Sequence, residues 1–205
     1  PTCHYVMGGV EVDADTELAG VEGLYAVGEC SGGMHGPNRL GGNSLSDLLV
    51  FGRRAGESAA AYAEGLGASR PVVVDEDVKA AERSALAPFE VEGGENPYAI
   101  QSDLQQSMND LVGIIRTAPE LEQSLEAIEA LKERATRMVV EGHRQYNPGW
   151  HLSLDLRNML IVSEAIARAA LAREESRGGH TRDDFPGPDP VWGTKNLVVD
   201  LDETR

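Results

Sequence analysis

The stretch from Gly28 to Leu45, GECSGGMHGPNRLGGNSL, concentrates the residues able to act on a ligand. It holds six glycines, one proline, one arginine and one histidine, and it closes with Asn43 and Ser44, two side chains suited to open a helix. Glycine removes the side chain and frees φ, so this mixture lets backbone approach a bound group closely. Between Cys30 and Gly56 the charged residues are Arg39, Arg53 and Arg54 against Asp47 alone. A locally positive segment in an acidic chain suits a small anion. Glu29 ends the apolar run Gly23-Leu24-Tyr25-Ala26-Val27-Gly28. An acid at the mouth of a buried strand can accept hydrogen bonds from ribose hydroxyls, and a glycine beside it lets a cofactor pass. A helix beginning at Asn43 or Ser44 would aim its free amides and positive dipole end at whatever the loop holds, favouring an anionic or electron-rich group.

These residues need elements to hold them. Val10 and Val12 alternate around Glu11, Asp13 to Thr16 form a polar turn, and Gly23 to Glu29 reads as a short buried strand. The helix capped by Asn43 or Ser44 extends to about Leu66, with Leu45, Leu48, Leu49, Gly52, Ala55, Gly56, Ala59 and Ala63 on its expected buried face. Residues 67–96 form a connector with a short helix around Asp75 to Leu86, bracketed by Pro71, Pro88 and Gly93-Gly94. Asn96-Pro97 reads as cap and first helical residue, followed by Ile100, Leu104, Met108, Leu111 and Ile115 at helical spacing. Pro119 starts a second helix with Leu121, Leu125, Ile128, Leu131, Ala135 and Met138 on one face, and a third runs from about Leu152 to Arg177, closed by Gly178-Gly179. The expected class is α+β: short strands plus a helix in residues 1–66, the connector in 67–96, an antiparallel three-helix bundle in 97–179 and an extended tail in 180–205 with one strand from Asn196 to Leu201.

Composition narrows the partners. A chain of 205 residues with 41% hydrophobic side chains can bury a core, and 34 acidic against 18 basic residues give a formal charge of −16. That charge repels phosphate backbones and anionic lipid surfaces, which argues against nucleic acid as a partner class. Cys3 and Cys30 are too few and too far apart for a zinc set, so no metal site is expected and both read as reduced, buried thiols of a cytosolic protein. No apolar run reaches the length of a bilayer span, so no direct membrane insertion is expected. The first residue is Pro, and the chain is read as a piece of a longer polypeptide.

Three ordered motifs carry a resemblance: Pro1-Thr2-Cys3-His4-Tyr5-Val6-Met7-Gly8-Gly9, Gly23-Leu24-Tyr25-Ala26-Val27-Gly28-Glu29, and His35-Gly36-Pro37-Asn38-Arg39-Leu40-Gly41-Gly42-Asn43-Ser44-Leu45. Together the chain resembles the flavoprotein subunit of succinate dehydrogenase and fumarate reductase, and the likeness continues through Asp47 to Gly52, across the helices and into Ser176 to Arg182. The resemblance implies that His4 and Arg39 bind the two carboxylates of a dicarboxylate substrate beside FAD, that Glu29 holds the FAD ribose, and that Ser44 and Leu45 meet the flavin ring. It places Arg39 against the flavin as well. A guanidinium suits a carboxylate bidentately, and a histidine can donate to the other end of the substrate.

The same resemblance implies succinate oxidation to fumarate, or the reverse, by hydride transfer to or from FAD, with electrons passed to an iron–sulfur subunit. Membrane anchor subunits would then hold the enzyme at the inner face of the cell membrane. No residue of this chain is expected to shuttle the substrate proton, since the family's arginine for that step lies in a part with no counterpart in this sequence. The phosphate-cradling GxGxxG is also missing, so these residues alone are expected to be inactive. L-aspartate oxidase is an alternative reading, although its run resembles NRMASNSL rather than RLGGNSL. A further alternative makes residues 97–205 a docking and assembly module with no chemistry. Pro37, Ser46 and Gly179 depart from the alanine, leucine and alanine usual at these positions. His35 reads as loop support, His143 and His151 as helix-end histidines favoured by the dipole, and His180 and Arg182 as structural.

Overall fold

The computed structural model describes residues 4–69 and 71–200. They form two compact units: one runs to Val72 and includes Arg177–Gly179, and the other takes Val73–Ser176 and continues from His180.

In the first unit the expected strands are reduced to single bridges. Val10 pairs with Ser31 in parallel, while Val12 with Ala19 and Leu18 with Tyr25 are antiparallel. Gly28–Cys30 turns as one 3-10 turn instead of extending the Gly23 run. Helix α1 spans Asn43–Gly65. Its cap is Gly42, at φ 84°, a left-handed conformation that glycine adopts without strain, and neither Asn43 nor Ser44 serves as the cap.

The buried face of α1 also differs from the expected one. Asp47 and Ala55 are buried and Phe51, Ser58 and Tyr62 half-buried, whereas Leu45, Leu48, Leu49 and Val50 stand 51 to 76% exposed. Leu48 and Ala55 of the expected face do pack inward, Leu48 against the buried Gly28, and one carboxylate, Asp47, is added beside them. Asp47 can occupy that position because it is hydrogen-bonded there, which offsets its desolvation. Cys30, expected buried, is exposed and free, and Cys3 lies outside the described residues.

The second unit opens with helix α2, Asp75–Leu86, whose first turn carries Asp75, Glu76 and Asp77 against the positive dipole end. Helix α3, Pro97–Leu111, starts as the sequence indicates, with the Asn96 side chain accepting the Tyr98 amide. It stops at Leu111, so Ile115 is not on its face. Ile115 lies in β1, Ile115–Arg116, and is 60% exposed. Helix α4 spans Ala118–Ala135, and α5 spans Pro148–Ala172 with Asn147 as its cap. The third helix of the bundle therefore begins four residues before the expected Leu152 and ends short of Arg177. Ile100, Leu104, Leu121, Ile128, Leu131, Met138, Leu156 and Leu160 form the centre of one apolar core shared by α3, α4 and α5. Met138 joins it from beyond α4, through a bridge with Glu95.

Strand β2, Thr181–Arg182, pairs in parallel with β1, in the register Ile115 to Thr181 and Arg116 to Arg182. The strand expected from Asn196 does not form over residues 196–200, and Leu201 lies outside the described residues. The tail is fixed by side chains: Arg173 donates to the Trp192 and Lys195 carbonyls and stacks on the Trp192 ring at 5.4 Å.

One ion pair joins two helix ends. Arg182, 1% exposed, donates from Nε and Nη2 to both Asp184 oxygens at 2.7 Å and from Nη1 to the Ala170 and Leu171 carbonyls at 2.8 and 3.0 Å. Those are last-turn carbonyls of α5, which have no intrahelical donor. Asp184 in turn accepts the Ala118 amide at the start of α4. A cation thus meets a helix C-terminus and an anion a helix N-terminus, the favourable pairing with both dipoles.

Beside them, His180 accepts from Arg116 at Nδ1 and donates from Nε2 to the Arg173 carbonyl, at 3.2 and 3.1 Å. Burial first, and then the neighbouring arginines, lower its pKa below the ordinary 6.5. The Arg182 hydrogen bond holds the Asp184 carboxyl at about 2. Acid should therefore weaken this unit in two stages. As pH falls below 6.5 the unfolded chain protonates its histidine before the folded one does, and stability declines from there. Asp184 contributes of order 1–2 kcal/mol above its ordinary range, and this is lost as pH falls towards 2. Thermal unfolding at stepped pH checks both: His180→Gln should flatten the profile between about pH 7 and 5, and Asp184→Asn should shrink the lower step, to which Glu95 and Glu164, carboxyls also held low by basic partners, contribute as well.

Candidate functional site

Residues 4–7 form a rail on which two distant segments dock. The Val6 amide donates to Glu29 Oε1 at 3.0 Å, and the Arg39 amide donates to Met7 Sδ at 3.1 Å. The Arg39 guanidinium lies over the Tyr5 ring, 4.7 Å from its centroid, with Nη1 donating to the Leu40 carbonyl at 3.1 Å. Arg39 Nε is buried and has no partner among the described residues. His4, next to Tyr5, is exposed. The fold thus brings Arg39 beside the His4–Met7 segment and Glu29 onto the same segment. Ser44, half-buried, and Leu45, 68% exposed, occupy the first turn of α1.

The Arg39 loop is also locked at Pro37. Its carbonyl accepts the Gly179 amide at 2.9 Å, and a Cβ on Gly178, at φ 60°, would stand 2.2 Å from that carbonyl oxygen. No residue but glycine fits position 178 without moving the loop.

Beneath Arg39 lies a cluster that reading of the sequence did not single out. Asp47, buried on α1, accepts at Oδ2 from Tyr5 Oη and from His35 Nε2, each at 3.2 Å. The Tyr5 and His35 rings meet edge to face at 5.5 Å. Burial first and then the Asp47 carboxylate raise the Tyr5 phenol above 10.0, so it remains a donor. The available signal was Asp47 itself, the one acid between Cys30 and Gly56, set among leucines. His35 is more than loop support, since its ring holds the carboxylate that holds Tyr5.

The other histidines lie elsewhere. His143 is exposed between helices, and His151 sits in the first turn of α5 against Trp150, so neither is at the C-terminal end where the dipole would favour it. His180 and Arg182 serve the helical unit as described above. Among the described residues no cluster of metal-ligating side chains is found, and no helix is long and apolar enough to cross a membrane.

A family model described as fumarate reductase flavoprotein C-term matches residues 101–204. This chain belongs to the succinate dehydrogenase and fumarate reductase flavoprotein family. A second model, the FAD binding domain, matches residues 1–45, which makes FAD the cofactor. The fumarate reductase flavoprotein subunit of Escherichia coli is 38% identical over 184 residues, covering 89% of this chain and 30% of that protein. Its counterpart in Mycobacterium tuberculosis is 39% identical over 196 residues, 92% of this chain and 33% of its own length. The solved Mycobacterium smegmatis Sdh1 complex in the apo form superposes with a TM-score of 0.90 at 61% identity, over 94% of this chain and 32% of that one. The chain spans about a third of the length of the curated relatives it matches.

The flavoprotein segment's own residues fit FAD. Helix α1 begins without a side-chain cap; the Asn43 and Leu45 amides donate to the Leu40 and Gly42 carbonyls, which leaves the Ser44 amide for a ligand. No atom lies within 4 Å of where a Cβ would stand on Gly41 or Gly42, so the approach to that turn is open.

Proposed function

We propose that the whole enzyme interconverts succinate and fumarate, with Arg39 and His4 binding one carboxylate each. The observation that carries this reading is the seating of the Arg39 guanidinium on Tyr5, the residue next to the exposed His4. Two potential donors separated by 35 positions in sequence, one a permanent cation, then serve one small ligand with two anionic ends. Glu29 accepts from the ribose of FAD, and the Ser44–Leu45 turn meets the flavin ring with the Ser44 amide, the Leu45 amide being taken by the Gly42 carbonyl, so that electron density is stabilised at the helix N-terminus. Bound FAD supplies the two-electron acceptor or donor for hydride transfer, and the residues of this chain orient the dicarboxylate towards it. The electrons pass to an iron–sulfur subunit, and membrane anchor subunits hold the assembly at the inner face of the cell membrane.

We divide the chain into residues 1–66 as part of the FAD-binding domain, 67–96 as connector, 97–179 as three-helix bundle and 180–205 as tail. The bundle and tail serve assembly: the buried Glu175 and Arg182, together with the more exposed Arg173 and Asp184, are engaged in holding helix ends and the tail.

The test uses the full-length, FAD-loaded protein. Succinate-dependent dye reduction, or fumarate-dependent oxidation of a reduced dye, is expected. Absence of both overturns the reading. Oxidation of L-aspartate in the absence of both would assign the site to an aspartate oxidase instead.

A further inference from the structure

We propose that Asp47 is a positioning residue for substrate binding: through Tyr5 and His35 it fixes the platform on which the Arg39 guanidinium rests. The inference rests on the dicarboxylate reading above and adds to it a residue that need not touch the substrate.

Arg39 alone is a long side chain with several rotatable bonds, and holding it in one conformation costs entropy unless something else has already fixed it. In this structure its guanidinium is held by a ring face and by one carbonyl, that of Leu40. The Tyr5 ring is therefore the surface that sets the angle of the fork. Tyr5 is in turn fixed at its far end, where Oη donates to Asp47 Oδ2. His35 donates to the same oxygen and packs its ring edge to face on Tyr5, so the phenol is held from two directions. Asp47 is 3% exposed and sits on a 23-residue helix, a rigid mount. Its Oδ1 is buried with no partner among the described residues.

A buried carboxylate in that state is costly to stability. Leucines occupy neighbouring positions on the same helix, so an apolar side chain would be the less costly occupant if packing were all that mattered. The arrangement uses each group as its chemistry allows: the carboxylate as acceptor, the phenol as donor with a quadrupole face, and the guanidinium as a cation over that face. A preorganised fork receives a carboxylate without first having to be ordered.

The experiment uses the full-length FAD-loaded enzyme with succinate as substrate and malonate as an unreactive dicarboxylate, its binding followed by the flavin absorbance. Asp47→Asn is expected to raise KM and the malonate Kd by about tenfold or more, with kcat changed less and flavin content unaltered. Tyr5→Phe keeps the ring and loses the donor, and should move the same two constants in the same direction. Asp47→Glu keeps the charged carboxylate, which Asn replaces by a neutral amide with a weaker acceptor, and should return both to within about threefold of wild type.

A double-mutant cycle separates positioning from general damage. In an Arg39→Gln background Asp47→Asn should add no further loss of malonate affinity. Unchanged affinity in both Asp47→Asn and Tyr5→Phe overturns the proposal. So does an Asp47→Asn effect that is equally large without Arg39. If Asp47→Asn does not accumulate as folded protein, Tyr5→Phe in both backgrounds decides the same question. A wild-type enzyme that binds no malonate and turns over no succinate instead overturns the dicarboxylate reading itself, and the positioning role with it.

Discussion

Arg39→Gln, introduced into the full-length FAD-loaded enzyme, is expected to lower kcat/KM for succinate by about three orders of magnitude, the consequence of removing one member of a desolvated, charge-assisted pair. Glutamine is close in length and retains a donor, so the loss isolates the charge and the two-pronged geometry. Arg39→Lys should recover little. An ammonium keeps the charge but offers no planar fork to a carboxylate and lacks the flat face that lies on Tyr5. Flavin absorbance should persist in both variants, since the proposed contacts of Glu29, Ser44 and Leu45 remain and Arg39 is only one of the groups expected beside the flavin. Steady-state kinetics in each direction, together with flavin content, read the result. A Gln variant within about tenfold of wild type would remove Arg39 from the substrate site.

The second large effect is expected in the helical unit. Arg182→Ala should destabilise the helical unit by about 2–4 kcal/mol, because it leaves buried helix-end carbonyls without their donor and the more exposed Asp184 without its partner. The side chain is 1% exposed and reaches Asp184 and the carbonyls of Ala170 and Leu171. Arg182→Met, which fills the space without the donors, should be as damaging, since the loss lies in unmet hydrogen bonds. Chemical denaturation of the whole protein, following helical signal, measures it. A loss below about 1 kcal/mol would mean that water replaces the guanidinium at no great cost.

Local signals were legible where they suffice by themselves. Asn96-Pro97 fixes the start of α3, and the three acids Asp75, Glu76 and Asp77 mark the start of α2. The core positions of α3 and α4 follow from their spacing, and Ile100, Leu104, Leu121, Ile128 and Leu131 are all buried. What the sequence could not supply depends on partners distant along the chain. The end of α5 near Ala172 is set by Arg182 arriving from beyond a turn, not by the Gly178-Gly179 pair six residues further on. Leucine spacing gave only part of the inward face of α1, Ala55 and Leu48 among it, and missed Asp47, because that interaction is polar: Asp47 is drawn inward by Tyr5 and His35.

In the site, the motif residues His4, Glu29 and Arg39 were visible as types, and the folded chain sets Glu29 and Arg39 on the segment that follows His4. The support beneath them was not visible. A tyrosine, a histidine and an aspartate at positions 5, 35 and 47 have no common spacing, and only folding brings their polar atoms to one oxygen.

The lock between Pro37 and Gly179 has a consequence for the order of events on the ribosome. The loop bearing Arg39 leaves the exit tunnel well before the amide that holds it, which is made only after all three long helices of the second unit have been synthesised. At ordinary translation speeds of about 5–20 residues per second, that interval is on the order of ten to thirty seconds. Through it the Pro37 carbonyl has no Gly179 to accept from, and the loop bearing Arg39 reaches its final form as one of the last events in the making of this segment.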